Sequence, residues 1–330
     1  MWTIIGGTGF LGARLIDALR RVGRPVCVVS RQPPKVRYPG TEYRVADVSD
    51  KASISNAVSG SEVVYQLTTA ASNDPYTLQQ DIVGGTGNVL AAVKRERVAR
   101  FIFVSSIAAL NLRKTGSLPV TADPKPLLRN YYARYKIQAE SAVLEACRYE
   151  ALPAVIVRPG IVVGPGRSVC HDGLGHWVSD LCCIGFGHGR NPLPFVLNED
   201  VATALELAGH VPGVEGSEFN IAGDVKMSAT EFLAYAAAYS GRRFRFYPQG
   251  ILPGQIQDLA RWSVKAISRK TPNRFPRLYD RKSMMCLADV SSDQAKVMLG
   301  WRPNSSVEYF LEQTVHANLS AINIRHSLSL

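Results

Sequence analysis

Three glycines, Gly6-x-x-Gly9-x-x-Gly12, constrain this 330-residue chain more than any other feature in it. They follow the apolar run Trp2-Thr3-Ile4-Ile5 and precede Leu11, Leu15, Ala18 and Leu19 at helical spacing. A strand that turns through such a loop into a helix needs each glycine for a separate reason. Gly6 permits the tight turn, Gly9 lets the backbone approach a pyrophosphate, and Gly12 lets the helix pack closely on the strand. The helix N-terminus then offers free N–H groups and the positive end of its dipole to phosphates. A glycine-rich turn would carry the same pattern. The context decides: a second apolar strand over 25–30 lies about twenty residues on, as dinucleotide binding requires.

The end of that second strand reports on the ribose. An NAD enzyme usually carries Asp or Glu there to accept from the 2′-hydroxyl. This chain has Val28-Val29-Ser30-Arg31, with Lys35 close behind. A guanidinium grips a 2′-phosphate that a carboxylate would repel, so NADP(H) is favoured and NAD is the alternative. The bland reading of Arg31 is a solvated loop residue. Strand and helix patterns then alternate: 43–46, a helix from 52, 62–67, a helix over about 77–97, and 100–104. That alternation predicts an α/β fold with a doubly wound parallel sheet. Asp47-Val48 follows the third strand, where a carboxylate can accept from an adenine amino group or simply cap the next helix.

Tyr132 and Lys136 stand four residues apart and share one face of a helix, since 135–148 is rich in helix formers. A neighbouring ammonium is expected to lower a tyrosine pKa from about 10 by about 1–3 units, making Tyr132 a general acid/base. Tyr131 has Tyr135, not lysine, four residues on. Ser106 follows the strand 100–104, at the edge where such sheets bind ligands, and its hydroxyl can polarise a carbonyl.

Composition narrows the classes. The chain is 46% hydrophobic, enough for a full core. The cysteines at 27, 147, 170, 182, 183 and 286 show no paired spacing and read as reduced thiols of a cytoplasmic protein. No stretch reaches the roughly 18 apolar residues of a membrane span. The net charge of +11 suits a solvated surface or an anionic partner, and a nicotinamide dinucleotide is itself polyanionic. Within 166–190, His171, His176, His188, Cys170, Cys182 and Cys183 are ligand types for zinc, but their spacing fits no metal pattern. A substrate loop without metal is expected. Residues 260–282 carry Arg261, Lys265, Arg269, Lys270, Arg274, Arg277, Arg281 and Lys282 against Asp280, beside Ile256, Leu259, Ala260, Trp262, Val264 and Ile267. Three readings stand: contact with anionic lipid, a clamp on a diphosphate-bearing substrate, or a solvated helix with an apolar core face.

Taken in order, the glycine loop, Asp47-Val48, Gly85-Thr86-x-Asn88-Val89, Phe101-Ile102-Phe103-Val104-Ser105-Ser106, Tyr132-x-x-x-Lys136, Arg158-Pro159-Gly160, Pro194-Phe195-Val196-x-x-x-Asp200-Val201-Ala202 and Leu299-Gly300-Trp301-x-Pro303 resemble the extended short-chain dehydrogenase/reductase superfamily. This includes its NAD-dependent epimerase/dehydratase and 3-beta-hydroxysteroid dehydrogenase-like members. The resemblance implies a Rossmann sheet over 1–165, joined by about 191–225, and a smaller substrate lobe from 166–190 and 226–330. It implies a cofactor site of Gly6, Thr8, Gly9, Phe10, Leu11, Gly12, Ser30, Arg31, Asp47, Val48, Leu67, Thr68 and Thr69. Tyr132 and Lys136 join that site, Lys136 on the nicotinamide ribose, and Pro159 and Val162 line the nicotinamide pocket. A homodimer acting on a small molecule, not on nucleic acid, is expected. Dehydratases carry Asp-Glu where this chain has Ile107-Ala108, and many nucleotide-sugar enzymes carry Asn where it has Ile82 and Ile161. The expectation is an NADP(H)-preferring reductase interconverting a ketone and a secondary alcohol. A nucleotide-sugar epimerase or reductase is the alternative, followed by a cofactor-sensing protein without catalysis.

Overall fold

The computed structural model describes residues 1–34, 36–69, 74–110, 130–267, 275 and 290–319. Lys35, Cys286 and the basic positions 269, 270, 274, 277, 281 and 282 lie outside the described residues, and so does the side chain of Lys265.

Seven strands form one parallel sheet: β1 (Trp2–Ile5), β2 (Val26–Ser30), β3 (Glu42–Val45), β4 (Val63–Gln66), β5 (Arg100–Val104), β6 (Ala154–Pro159) and, after a long excursion, β12 (Glu218–Ile221). Their order is β12-β6-β5-β4-β1-β2-β3, so the winding reverses between β1 and β4. Ligands of open parallel sheets bind in the crevice at such a reversal, outside the carboxyl ends of the strands. The strands are apolar on both faces because both faces are covered, and alternate residues enter separate cores. Ile4, Val28, Tyr65, Ile102 and Val157 join one core, under α1 (Phe10–Arg21) and α6 (Asn198–His210). Ile5, Val29, Val64, Phe103 and Ile156 join the other, under α4 (Gly85–Glu96) and α5 (Tyr131–Glu150). Trp301 is fully buried in the first core, and its indole N–H donates to the Asp200 carbonyl at 2.8 Å.

Two expectations are corrected. The helix expected over 77–97 is interrupted: α3 (Pro75–Leu78) gives way to a π-helical stretch, Gln79–Gly84, before α4. A π turn holds one residue more than an α turn and so rotates the face presented by α4. Beyond it, Asn88 Nδ2 donates to the Val48 carbonyl at 2.9 Å, tying α4 to the segment that follows β3. The stretch 166–190, expected as a loop, instead holds the antiparallel pair β8 (Gly175–Ser179) and β9 (Cys182–Phe186). β14 (Arg245–Gln249) adds to β9 in parallel. The reason is an alternation of side chains: Cys183 turns inward and is fully buried, between the less buried Cys182 and Ile184. Short strands β7 (Ile161–Val163) and β11 (Phe195–Leu197) pair in parallel, and β10 (Pro192–Leu193) pairs with β13 (Met227–Ser228). A third core of Val163, Leu174, Cys183, Phe195, Phe232 and Phe310 lies between them and α7 (Ala229–Ser240). Helix α8 (Ile251–Ile267) follows β14.

Candidate functional site

The loop between β1 and α1 is built by close approach. Gly6 has φ +85°, a left-handed conformation that favours glycine. A Cβ on Gly12 would lie 2.4 Å from the Gly7 carbonyl oxygen, so only glycine lets α1 pack there. The N-termini of α2 (Lys51–Ala57), α5 and α7 are capped by the side chains of Asp50, Asn130 and Ser228. No side chain caps α1 at Gly9. Its first N–H groups are therefore available to an anion, which is the fit a pyrophosphate needs.

Beside this loop lies a cleft of about 240 Å³. Its lining brings together Gly6, Thr8, Gly9, Ser30, Arg31, Asp47, Val48, Leu67, Thr68 and Thr69, with Asp81 as a carboxylate that the sequence did not single out. Phe10, Leu11 and Gly12 form the first turn of α1 behind it. Asp47 does not cap α2. It accepts from the Ser49 backbone N–H at 2.9 Å and from its hydroxyl at 2.8 Å; these bonds hold the carboxyl below its usual range, and nearby Arg31 adds to the effect. Arg31 is exposed and also lines a second, larger cleft of about 810 Å³ with Gln32, Tyr38 and Tyr43. A groove of about 1020 Å³ lined by Glu231, Ala234 and Tyr235 of α7 and by Tyr309 and His316 contains none of the expected site residues.

The chemistry-bearing side chains gather at the neighbouring strand end. β5 pairs with β4, so Ser105 and Ser106 lie beside Leu67–Thr69. The Asn130 side chain accepts from the Ala133 N–H at 2.8 Å and starts α5 just before Tyr131, which places Tyr132 in the first turn. The Ser106 hydroxyl lies beside the Tyr132 phenol. The lowering of the Tyr132 pKa expected from Lys136 is overturned. Burial holds the phenol above its ordinary value, and the neighbouring Ser106 hydroxyl acts in the opposite direction. Lys136 donates instead to the Val104 carbonyl at 3.0 Å, with its ammonium 5.1 Å from the centre of the Phe103 ring. Burial brings Lys136 itself down to about 8, opposed by the charge of Glu140.

Glu140 was missed from the sequence, although it stands one turn beyond Lys136 on the same face. It takes two bonds from Arg158, at 2.8 and 2.7 Å, and Arg158 also pairs with Glu218. Lys136, Glu140 and Arg158 are each at most 2% exposed. Breaking such a buried pair by removing one partner typically costs about 3–5 kcal/mol. Pro159 ends β6 and is buried, while Val162 packs against the first core. Arg167, also missed, sets its guanidinium 5.9 Å from the ring centre of Phe10, where α1 begins. His171 is a core residue: burial pushes it down to about 4, its Nδ1 accepts from the Gly173 N–H, and its ring lies edge-on to Phe195.

A family model described as the NAD dependent epimerase/dehydratase family matches residues 2–222. Cinnamoyl-CoA reductase 1 of Petunia hybrida is 23% identical over 281 residues, covering 79% of this chain and 82% of the reductase. UDP-glucose 4-epimerase of Vibrio cholerae is 23% identical over 328 residues, covering 97% and 96%. An uncharacterized Sinorhizobium fredii protein, y4nG, is 28% identical over 255 residues, covering 75% of this chain but only 63% of its own length. The crystal structure of gox2253 superposes with a TM-score of 0.76 at 22% identity, covering 99% and 98% of the two chains, which speaks to the fold alone.

Proposed function

The chain belongs to the NAD dependent epimerase/dehydratase family, and from that premise we propose that it is an NADP(H)-preferring oxidoreductase interconverting a ketone and a secondary alcohol. The observation that carries this reading is the Ser106 hydroxyl beside the Tyr132 phenol at the carboxyl end of β5, with Lys136 one turn further along α5. The bound nicotinamide supplies or accepts the hydride. Tyr132 gives its phenolic proton to the substrate oxygen during reduction and takes it back during oxidation. Its raised pKa keeps that proton in place until the oxygen acquires charge. Ser106 orients and polarises the carbonyl, and Lys136 is the cation that holds the nicotinamide ribose. Arg31 meets the 2′-phosphate, which sets NADP over NAD. The segments 166–190 and 226–330 are read as the substrate lobe, and a cytoplasmic homodimer belongs to the same reading.

Ile82 is buried and Ile161 packs on the third core, at positions where many nucleotide-sugar enzymes place asparagine. Without an amide at these two positions a sugar nucleotide would find fewer polar contacts, which favours an apolar or amphipathic ketone. Epimerisation of a nucleotide sugar is the second reading, kept because the Vibrio epimerase matches over nearly its whole length. Purified protein with NADPH should consume cofactor stoichiometrically with a ketone. Tyr132→Phe should lower turnover by about 10²–10⁴-fold while still binding NADPH. Full turnover in that variant would remove Tyr132 from its role. Interconversion of sugar-nucleotide epimers without net cofactor change would establish the second reading.

A further inference from the structure

Lys136 begins a group of four ionisable side chains. Lys136 and Glu140 stand one turn apart on one face of α5, and each is 1% exposed. Arg158 on β6 donates to Glu140 from Nε at 2.8 Å and from Nη2 at 2.7 Å, and Glu218 on β12 pairs with the same guanidinium from the partly exposed edge. Two carboxylates against one guanidinium leave one negative charge, and the Lys136 ammonium cancels it. A buried charge without such compensation is costly, so the four belong together. They differ in what they can give up. A guanidinium keeps its proton inside a protein, and its paired bonds to Glu140 are those made to a carboxylate. The proton that this group can release is the one on Lys136.

We propose that Glu140 is a positioning residue for Lys136: its carboxylate, fixed by Arg158, keeps the lysine a cation at the end of β5. The use of that cation, holding the nicotinamide ribose, rests on the function proposed above; the charge itself does not. Two parallel bonds from a planar guanidinium hold the carboxylate in one place. The dry interior extends its reach, since unlike charges attract more strongly there than in water. Lys136 otherwise meets the Val104 carbonyl and the Phe103 ring, neither of which carries a full negative charge. Burial works against the ammonium, bringing it down to about 8, and Glu140 resists that fall. The other charges on α5 and on the elements packed against it are engaged elsewhere. Arg134 of α5 sets its guanidinium 5.8 Å from the centre of the Tyr135 ring. β5 carries Arg100 at its opposite end, paired with Glu215, and α4 carries Lys94 paired with Glu150 and Arg95 paired with Glu96. Asp81, on the π-helical stretch, lines the cofactor cleft, and Tyr76 of α3 is exposed. Tyr132 is a phenol that burial raises above its ordinary value. Among the described residues, the charge that acts on Lys136 is that of Glu140.

Direct titration of Lys136 tests this. The full chain, isotope-labelled at lysine Cε, is followed by NMR from about pH 6 to about pH 10, with Lys136→Met identifying the signal. The parent should titrate at about 8. Glu140→Gln should titrate at least about one pH unit lower, a roughly tenfold loss of ammonium on the alkaline side. Glu140→Asp keeps the charge and should recover most of that difference. Glu218→Gln removes the other acceptor of Arg158 and is the control for structure: the thermal midpoint should fall while Lys136 titrates as in the parent. Where Glu140→Gln does not fold, Glu140→Leu with Arg158→Met exchanges the pair for apolar groups of similar volume, a change that proteins often tolerate, and the same fall is expected. A Lys136 midpoint that stays in place without the Glu140 carboxylate overturns the proposal. An equal fall in Glu218→Gln also overturns it, by assigning the effect to loss of the cluster as a whole. NADPH affinity is measured over the same range. If the Lys136 midpoint falls in Glu140→Gln and NADPH affinity ignores it, the role of Glu140 stands and the placing of Lys136 on the nicotinamide ribose fails.

Discussion

Replacing Gly12 and Gly9 by alanine, one at a time, separates what the loop does for the fold from what it does for a ligand. At Gly12 the new Cβ would sit 2.4 Å from the Gly7 oxygen, 2.5 Å from the Gly7 carbonyl carbon and 2.6 Å from its Cα. Ordinary contact begins near 3.4 Å, so backbone must move by about 1 Å, and the three nearest atoms all belong to Gly7 in the loop itself. Overpacking of this kind costs about 1–3 kcal/mol, and immobile backbone puts Gly12→Ala at the upper end. At Gly9 the new Cβ would meet only the Gly6 oxygen, at 3.4 Å, and φ is −79°. Gly9→Ala should therefore leave stability within about 0.5 kcal/mol of the parent. If a pyrophosphate closes on the backbone there, however, the methyl group occupies its place. Urea denaturation and fluorescence titration with NADPH read the two effects independently. The expected outcome is a large loss of stability for Gly12→Ala, and for Gly9→Ala a tenfold or greater loss of NADPH affinity at nearly unchanged stability. NADPH affinity equal to the parent's in Gly9→Ala would refute the close approach of phosphate to Gly9.

Two more outcomes rest on charge. Arg31→Ala should weaken NADPH at least tenfold and leave NADH nearly unaffected in parallel titrations; equal affinities of the parent protein for the two would sink the assignment. Asp200 is mostly buried, and burial raises its carboxyl from 3.8 to about 7. Because the folded state holds that proton more tightly than the unfolded one, stability from this group falls as pH rises through about 4 to 7, by a few kcal/mol at most. The Asp200→Asn variant should show a flatter thermal midpoint across that window, and an unchanged slope would show that the carboxyl is ionised throughout.

The parts of the fold legible in the sequence are those set by neighbours along the chain. The β1 strand, the glycine loop and α1 are dictated by runs of adjacent residues, and the Tyr132–Lys136 spacing by one helical turn. The π-helical stretch at 79–84 is not legible, because one extra residue in a turn leaves no mark on composition. The β8–β9 pair is obscured because its histidine and cysteines suggest chemistry, while the alternation around Cys183 carries the structure. The Arg158–Glu140–Glu218 cluster joins residues far apart in the chain and exists only once β6 lies between β5 and β12. The sign of the Tyr132 shift escapes the sequence for a related reason. Spacing shows that a lysine is near, but not that burial outweighs it, nor that the ammonium turns to Val104.

The late position of β12 governs how this protein can be made. β6 is complete at Pro159, yet the strand that covers its outer edge ends at Ile221, roughly 60 residues later, or about 3–12 s of translation at about 5–20 residues per second. Throughout that interval the nascent sheet presents an unpaired row of backbone groups along a fully buried strand, the kind of edge that recruits other chains. Trp301, which closes the first core, emerges later still. Yield on expression should accordingly depend on elongation rate and chaperone supply between these points, and fragments ending between 160 and 217 should aggregate even though they contain the whole dinucleotide loop.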